Sequence, residues 1–371
     1  MENKNRLVLL DMLRAIGVML MIEGHTIDAV LSPVYKDGSS AVFQFWTFFR
    51  GLTAPFFFFS AGLAFVVATV KYSGGFLSIT GTAKKKRIRR IVTLLLIGYA
   101  LHMPLQILYS PSSVPPESWR IFFVADALQI ISLSLLVILV IAIVSRSHKT
   151  LLMSYASAAV LSLALAPVTE MVHWERFMHP ALYPYLTFRA GSFFTFFPFS
   201  AFLFAGAAFG AAAIGLPLQT RARELTKIFA KGAAVALVLS AGLYVIQMRY
   251  VSPYNDYWKS LPAVHLLRFG LVTMVASVVG YMSLHITRFP RILPAIGKSS
   301  LTIYIVHLMI VYGSPVNEGL SQLLVGGVRP VVAVLLAAGV MALMFAMVYT
   351  MESYRTRKRR AAEVTIGEVA K

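Results

Sequence analysis

The chain has 371 residues, 58% of them hydrophobic and only 13% charged, with a mean hydropathy of +0.74. A soluble domain carries about 45–50% apolar and about 25% charged residues, so this composition excludes a soluble globular fold, and with it disorder, collagen and coiled coil. The 34 Lys and Arg against 15 Asp and Glu give a formal net charge of +19. In so apolar a chain this excess reads as basic cytoplasmic loops and not as a nucleic-acid surface. There are no cysteines, which removes disulfides, thiolate metal sites and acyl-cysteine intermediates.

Ten apolar stretches follow one another, at about 7–31, 41–70, 91–109, 121–144, 151–168, 193–215, 229–247, 264–286, 299–316 and 328–351. Each approaches the ~17–25 residues that a membrane helix needs. The second is long enough to include a tilted or re-entrant part. With a cytoplasmic N-terminus, the inner segments collect Lys4, Arg6, Lys71, the run Lys84–Arg90, Arg146, Lys149, Arg221, Arg223, Lys227, Lys231, Arg288, Arg291, Lys298, Arg355, Arg357, Lys358, Arg359, Arg360 and Lys371. The outer segments collect Lys36, Arg120, Arg176, Arg189, Arg249, Lys259 and Arg329. This split of roughly three to one, alternating loop by loop, supports both the count and the orientation. The sequence therefore predicts an all-α polytopic membrane protein of about ten helices with both termini cytoplasmic. It predicts a single transmembrane domain over 1–360 and a short cytoplasmic tail over 361–371. The first stretch contains Asp11, Arg14, Glu23 and His25, unlike the apolar core of a cleavable signal, so it is expected to be retained. The largest outer loop, about 169–192, is rich in His, Tyr and Pro and suits an interfacial cover or a substrate vestibule.

An ionised side chain at mid-membrane costs at least ~2.5–3.5 kcal/mol, so such groups face a bundle interior or a wet cavity. At 100° per residue, Arg14 and His25 lie within about 20° of one face of the first helix, roughly 16 Å apart along the axis. Asp11 stands one turn below Arg14 and can pair with it. Asp28, three residues after His25, can orient its imidazole, whereas Glu23 points to nearly the opposite face. Arg50 precedes the run Pro55-Phe56-Phe57-Phe58-Phe59-Ser60-Ala61-Gly62, whose Phe residues suit packing and whose Ser60 and Gly62 permit close helix approach. At the start of the third stretch, Lys86, Arg87 and Arg90 form an anchor on anionic lipid or a site for an anionic nucleotide. Asp126 and Gln129, three apart, enter the fourth stretch, Arg268 lies in the eighth, and Tyr304 and His307 lie in the ninth. No metal-ligand spacing, P-loop, HExxH or nucleophile-elbow motif is present.

Leu10-Asp11-Met12-Leu13-Arg14, followed by an apolar run to His25, resembles the opening of the membrane acyltransferase family 3 superfamily. The spacing of Arg, ten residues and His is the same. Ser60-Ala61-Gly62 resembles its second-span motif, with Ala61 as a departure. Arg87 and Arg90 match its basic pair at the start of span three. Gly297-Lys298-Ser299-Ser300-Leu301-Thr302-Ile303-Tyr304-Ile305-Val306-His307 resembles its C-terminal segment. The branch resembled is the heparan-α-glucosaminide N-acetyltransferase-like one, including its bacterial members.

The resemblance implies transfer of an acyl group, usually acetyl, from cytoplasmic acyl-CoA to an acceptor on the outer side. Lys86, Arg87, Arg90 and Arg14 would then hold the donor. His25 would act as general base, or carry the acyl group itself, with Asp28, Arg14 and Asp11 in support. Arg50, Asp126, Gln129, Arg268, Tyr304 and His307 would contact the substrate. The expected partners are acetyl-CoA or another acyl-CoA, a saccharide or glycan acceptor, and the lipid bilayer, with neither metal nor nucleic acid. A homodimer is compatible with the sequence, and the expected location is the plasma membrane, as in a bacterial cytoplasmic membrane. The rival reading of the same intramembrane charges is a transporter or flippase for a small anion, lipid or saccharide. No pair of Gly/Pro-broken spans recurs at corresponding positions to support it.

Overall fold

A computed structural model describes residues 8–73, 79–104, 110, 112, 114–250, 260–286, 292–314 and 317–369. Lys4, Arg6, Lys259, Arg288, Arg291 and Lys371, used above for orientation, lie outside the described residues. The helices are α1 (Val8–Val30), α2 (Ala41–Arg50), α3 (Thr53–Ser73), α4 (Gly81–Leu101), α5 (Pro116–Phe123), α6 (Ala127–Val144) and α7 (His148–Met171). They continue as α8 (Phe196–Gly215), α9 (Arg221–Tyr250), α10 (Pro262–His285), α11 (Ile292–Lys298), α12 (Ser300–Tyr312), α13 (Leu320–Leu323) and α14 (Pro330–Val369). Among the described residues the only β pairing is two isolated bridges, Leu31 with Val328 and Ser314 with Asn317. The fold is all-α, as expected for a chain that must satisfy its backbone inside lipid.

Seven stretches among the described residues are long and apolar enough to cross a membrane, and the pair α11 and α12 makes an eighth if it counts as one span. Helices α1 and α4 have the length, at 23 and 21 residues. Their charged residues set them apart from the other seven: Asp11, Arg14, Glu23 and Asp28 on α1, and the basic run on α4. Several boundaries differ from the sequence expectation. The stretch at 41–70 breaks at Gly51-Leu52 into α2 and α3. Helix α4 begins at Gly81 under a Thr80 cap, so the basic run is helical and not a loop. A separate helix, α11, precedes the ninth stretch and meets α12 at a 78° bend. The expected tail is a continuation of α14 as far as Val369.

The described chain forms two compact units, residues 1–53 with 285–371, and residues 54–284. In the first unit α1 is the central element, flanked by α11, α12 and α14. Its C-terminal end packs Ile27, Val30 and Leu31 against Ala333 and Ala337 of α14, with Phe43 and Trp46 of α2 alongside. Helix α2 is two-sided. Phe43, Trp46 and Arg50 turn inward, while Val42, Phe45 and Phe49 are exposed at the same i, i+3, i+7 spacing, as suits an apolar face against lipid.

In the second unit α8 is the most buried helix and packs against α7 and α6, while α4 packs on α6. Phe56, Phe58 and Phe59 are buried, so the Phe run of α3 is packing, as expected. A Cβ on Gly62 would collide with the carbonyl of Leu203, and one on Gly206 with the carbonyl of Phe59. These reciprocal glycines let α3 and α8 cross backbone to backbone, the small-residue contact that membrane helices favour. The outer faces of α7 and α9 expose Val160, Leu161, Val235 and Val238, an apolar surface that a membrane covers.

The loop after α7, expected to be an outer loop, is stapled, not slack. The buried Glu170 carboxylate accepts hydrogen bonds from Thr187 Oγ1 and the Phe188 N–H, both at 2.8 Å. Arg189 donates to the carbonyls of Glu170 and Val172 at 2.5 and 2.6 Å. In the same loop, burial and the hydroxyl of Tyr99 at 2.8 Å push the Tyr185 phenol above its ordinary range, so it stays protonated and able to donate.

Candidate active site

The first unit brings together the sequence's principal candidates. His25, half-buried on α1, places Nδ1 2.9 Å from Nε2 of His307 on α12. The rings stack with centroids 5.2 Å apart and planes 14° from parallel. His307 is fully buried, and its Nδ1 lies 2.8 Å from the carbonyl of Ile303, one turn earlier on α12. A carbonyl only accepts, so Nδ1 of His307 carries a proton. With His307 neutral, its Nε2 is an acceptor, and His25 donates from Nδ1. The basic nitrogen of His25 is then Nε2, so the backbone of α12 sets the tautomer of the α1 histidine through one intervening ring. Tyr312 meets His25 edge-on at 6.1 Å, and Tyr304 meets His307 at 5.9 Å.

The structure turns Asp28 elsewhere. Its carboxylate Oδ1 binds Arg50 Nη1 at 2.6 Å, so the residue expected to orient His25 engages α2, and His307 takes the orienting position. The Arg50 guanidinium also lies over the Trp46 ring at 5.1 Å. Trp46 in turn donates its indole N–H to Glu23 Oε1 at 2.6 Å. Glu23, Trp46, Arg50 and Asp28 thus form a continuous strip that clamps α2 to the C-terminal half of α1. Arg50 is a clamp in this structure and not an isolated substrate ligand. A Cβ on Gly24 would sit 2.9 Å from Arg50 Cγ, so the glycine makes room for the clamp. Asp11 is buried and Arg14 half-buried at the N-terminal end of α1. Both meet α11, where a Cβ on Gly297 would fall 2.5 Å from the Asp11 carbonyl and 3.3 Å from Arg14 Cβ.

The second unit holds the remaining candidates. Helix α4 buries Ala83, Arg87, Ile91, Leu94 and Gly98 as one stripe. Arg87 therefore lies inside the packing, its guanidinium 5.2 Å over the Phe65 ring, whereas Lys86 and Arg90 are exposed. The expected pair Arg87 and Arg90 is split by this stripe. The residues that share the open face are Lys86 and Arg90, one turn apart. Asp126 caps α6, accepting from the Ala127 N–H at 2.6 Å, and its other oxygen is 3.7 Å from His102 Nε2. Gln129 is fully buried beside Gly98, and its amide has no hydrogen-bond partner among the described residues. Arg268 is half-buried on α10. Sequence reasoning passed over His102, Trp46 and Tyr312, whose partners are distant in the chain. Among the described residues no group of three or more His, Asp or Glu is placed to hold a metal ion.

The family model for heparan-α-glucosaminide N-acetyltransferase, catalytic, matches residues 6–248, more than half of the chain. The chain belongs to this family. It is therefore a multi-pass membrane protein of the acyltransferase class, and the matched region contains α1 with Arg14 and His25 as well as α4. His307, the ring that fixes the His25 tautomer, lies beyond the matched residues. Among curated proteins, none matches the chain.

Proposed function

We propose that the chain is an integral-membrane acetyltransferase that moves an acetyl group from acetyl-CoA on the cytoplasmic side to a hydroxyl or amine of a saccharide at the outer side. In this reading α1 and α4 also cross, giving ten spans within one catalytic domain, with both termini cytoplasmic, in the plasma membrane. His25 is the catalytic residue. Its Nε2 takes the proton of the acceptor as that atom attacks the thioester carbonyl, and the proton then goes to the departing CoA thiolate. The same lone pair would attack the thioester directly if acetyl-histidine forms first. His307 is a positioning residue that keeps the lone pair on Nε2. The α4 face of Lys86 and Arg90 supplies the cationic groups that a CoA phosphate chain requires, and Asp11 and Arg14 are supporting groups on the same helix as His25. Tyr304, Asp126, Gln129 and Arg268 are the remaining candidates for substrate contact.

One observation carries the reading: Nδ1 of His25 on α1 lies 2.9 Å from Nε2 of the fully buried His307. The test is acetyl transfer from acetyl-CoA to glucosamine by the purified full chain in nanodiscs. Wild type should turn over, and His25→Ala should lose about 10²–10⁴-fold in kcat, the usual span for a general base, while still binding acetyl-CoA. An active His25→Ala enzyme would overturn the assignment.

A further inference from the structure

Helix α6 fixes the depth of a feature that the acetyl-transfer chemistry does not use. Its 18 residues, at 1.5 Å each, span about 27 Å. That is close to the ~30 Å hydrocarbon core of a bilayer, so both ends of α6 lie at headgroup level. At the N-terminal end Asp126 caps the helix, and only Val124, Ala125 and this cap separate it from α5. Helix α5 has the aromatic make-up of an interfacial segment. Trp119 packs on Phe122 and Phe123, and Phe122 meets Tyr99 of α4 at 5.3 Å.

A cavity of about 390 Å³ opens at this level between α5 and the loop after α7, lined by His102, Glu117, Arg120, Ile121, Val124 and Phe193. Its size falls within the range of small-molecule sites. Glu117 and Arg120 stand one turn apart on α5, so their Cβ atoms are about 5–6 Å apart on one face. Both are exposed. Neither makes a hydrogen bond or ion pair among the described residues, with each other or with anything else. His102 is engaged elsewhere, with Nδ1 3.0 Å from the Gly98 carbonyl and Nε2 3.7 Å from Asp126 Oδ2. It closes the wall and leaves the two α5 charges to meet a guest. Ile121 and Phe193 are exposed large apolar side chains. The opening thus presents a carboxylate, a guanidinium and an apolar wall together, at the depth where lipid headgroups give way to acyl chains.

We propose that this cavity holds the headgroup of a membrane phospholipid that bears a primary ammonium, of the phosphatidylethanolamine class. The lipid phosphate accepts from the Arg120 guanidinium, the ammonium donates to the Glu117 carboxylate, and the acyl chains leave along Ile121 and Phe193. This headgroup carries its two charges two carbons apart, so one molecule reaches both side chains of a single helix turn. Arg120 alone would hold any phospholipid phosphate. The carboxylate beside it supplies the choice: it repels a headgroup of net negative charge, and a quaternary ammonium has no N–H to give it. The site goes beyond the acetyltransferase reading and stands without it.

The test is native mass spectrometry of the full chain in detergent, titrated with phosphatidylethanolamine, phosphatidylcholine and phosphatidylglycerol of identical acyl chains. Wild type should hold phosphatidylethanolamine about 10-fold more tightly than the other two, the usual worth of a hydrogen bond to a charged group. Glu117→Gln should remove that preference, and Arg120→Ala should weaken all three lipids. Glycerophosphoethanolamine, the same headgroup without chains, should fail to displace the bound lipid at equal concentration. Equal binding of the three lipids by wild type overturns the site, as does a preference that survives Glu117→Gln. Tightest binding of phosphatidylglycerol would make it a plain anion site and overturn the role of Glu117. Displacement by the chain-free headgroup would remove the apolar wall from the site, and the lipid assignment with it.

Discussion

Nδ1 of His25 and Nε2 of His307 are 2.9 Å apart across 282 residues of chain, and the bond between them decides which nitrogen of His25 is basic. His307→Ala should therefore leave Arg14 and His25 in place and still cost about 10–100-fold in kcat, because the freed imidazole populates the wrong tautomer. His307→Gln is the informative partner. Its amide nitrogen can donate to the Ile303 carbonyl and its oxygen can accept from His25 Nδ1, so it should recover most of the lost kcat. Equal damage from both substitutions would reduce His307 to a packing role. The KM for acetyl-CoA should not change in either.

The N-terminal end of α1 is held by a close approach that tolerates no side chain. Gly297→Ala would drive a Cβ to 2.5 Å from the Asp11 carbonyl. A backbone atom cannot rotate away, so α11 must shift off α1, at a cost of about 1–3 kcal/mol or more. Gly339 on α14 provides the control, since nothing lies within 4 Å of its added Cβ. Gly339→Ala should be neutral, or stabilising by up to ~1 kcal/mol from helix propensity. Thermal unfolding of the two variants in one detergent should show a fall for Gly297→Ala and none for Gly339→Ala.

The helices themselves were largely legible, because an apolar run of membrane length has few alternatives. The breaks were not. Gly51-Leu52 interrupts the helix, and the 78° bend between α11 and α12 changes its direction, without interrupting hydropathy. The Arg14 to His25 face was readable because helical spacing fixes it. Its completion by His307 was not, since a contact between distant helices leaves no periodic trace. Asp28 shows the same gap from the other side: spacing put it near His25, but Arg50, on a different helix, competes for the carboxylate with a full charge. The burial of Arg87 could have been found, because Ala83, Arg87, Ile91, Leu94 and Gly98 recur at helical spacing.

That stripe separates two arginines expected to act together. Arg87 lies over Phe65 within the packing of α4, so Arg87→Ala should lower the unfolding temperature and remove donor binding only as a consequence. Arg90 is exposed, so Arg90→Ala, and more so Lys86→Ala with Arg90→Ala, should weaken acetyl-CoA binding with unfolding unchanged. For exposed charges the gap from wild type should narrow as salt rises, because the Debye length falls from about 10 Å at 0.1 M to about 3 Å at 1 M. Calorimetry at two salt concentrations, paired with thermal unfolding, reads both effects. A gap that does not change with salt would place these side chains away from the phosphates.

Asp28 gives the sharpest contrast between sequence and structure. If it oriented His25, Asp28→Asn would disturb the imidazole and cost kcat heavily, as removal of an orienting carboxylate does. With its carboxylate on Arg50 Nη1 at 2.6 Å, its loss should instead loosen α2. Both side chains are about one third exposed, at 34% and 38%, so solvent screening keeps the pair near the ~0–1 kcal/mol of other exposed ion pairs. Asp28→Asn should therefore keep kcat within about threefold of wild type, an energy difference under ~1 kcal/mol. Hydrogen exchange should rise along residues 41–50, because Arg50 retains only Trp46 to hold the end of the helix. A large fall in kcat with unchanged exchange on α2 would return Asp28 to the catalytic group and remove His307 from the orienting role.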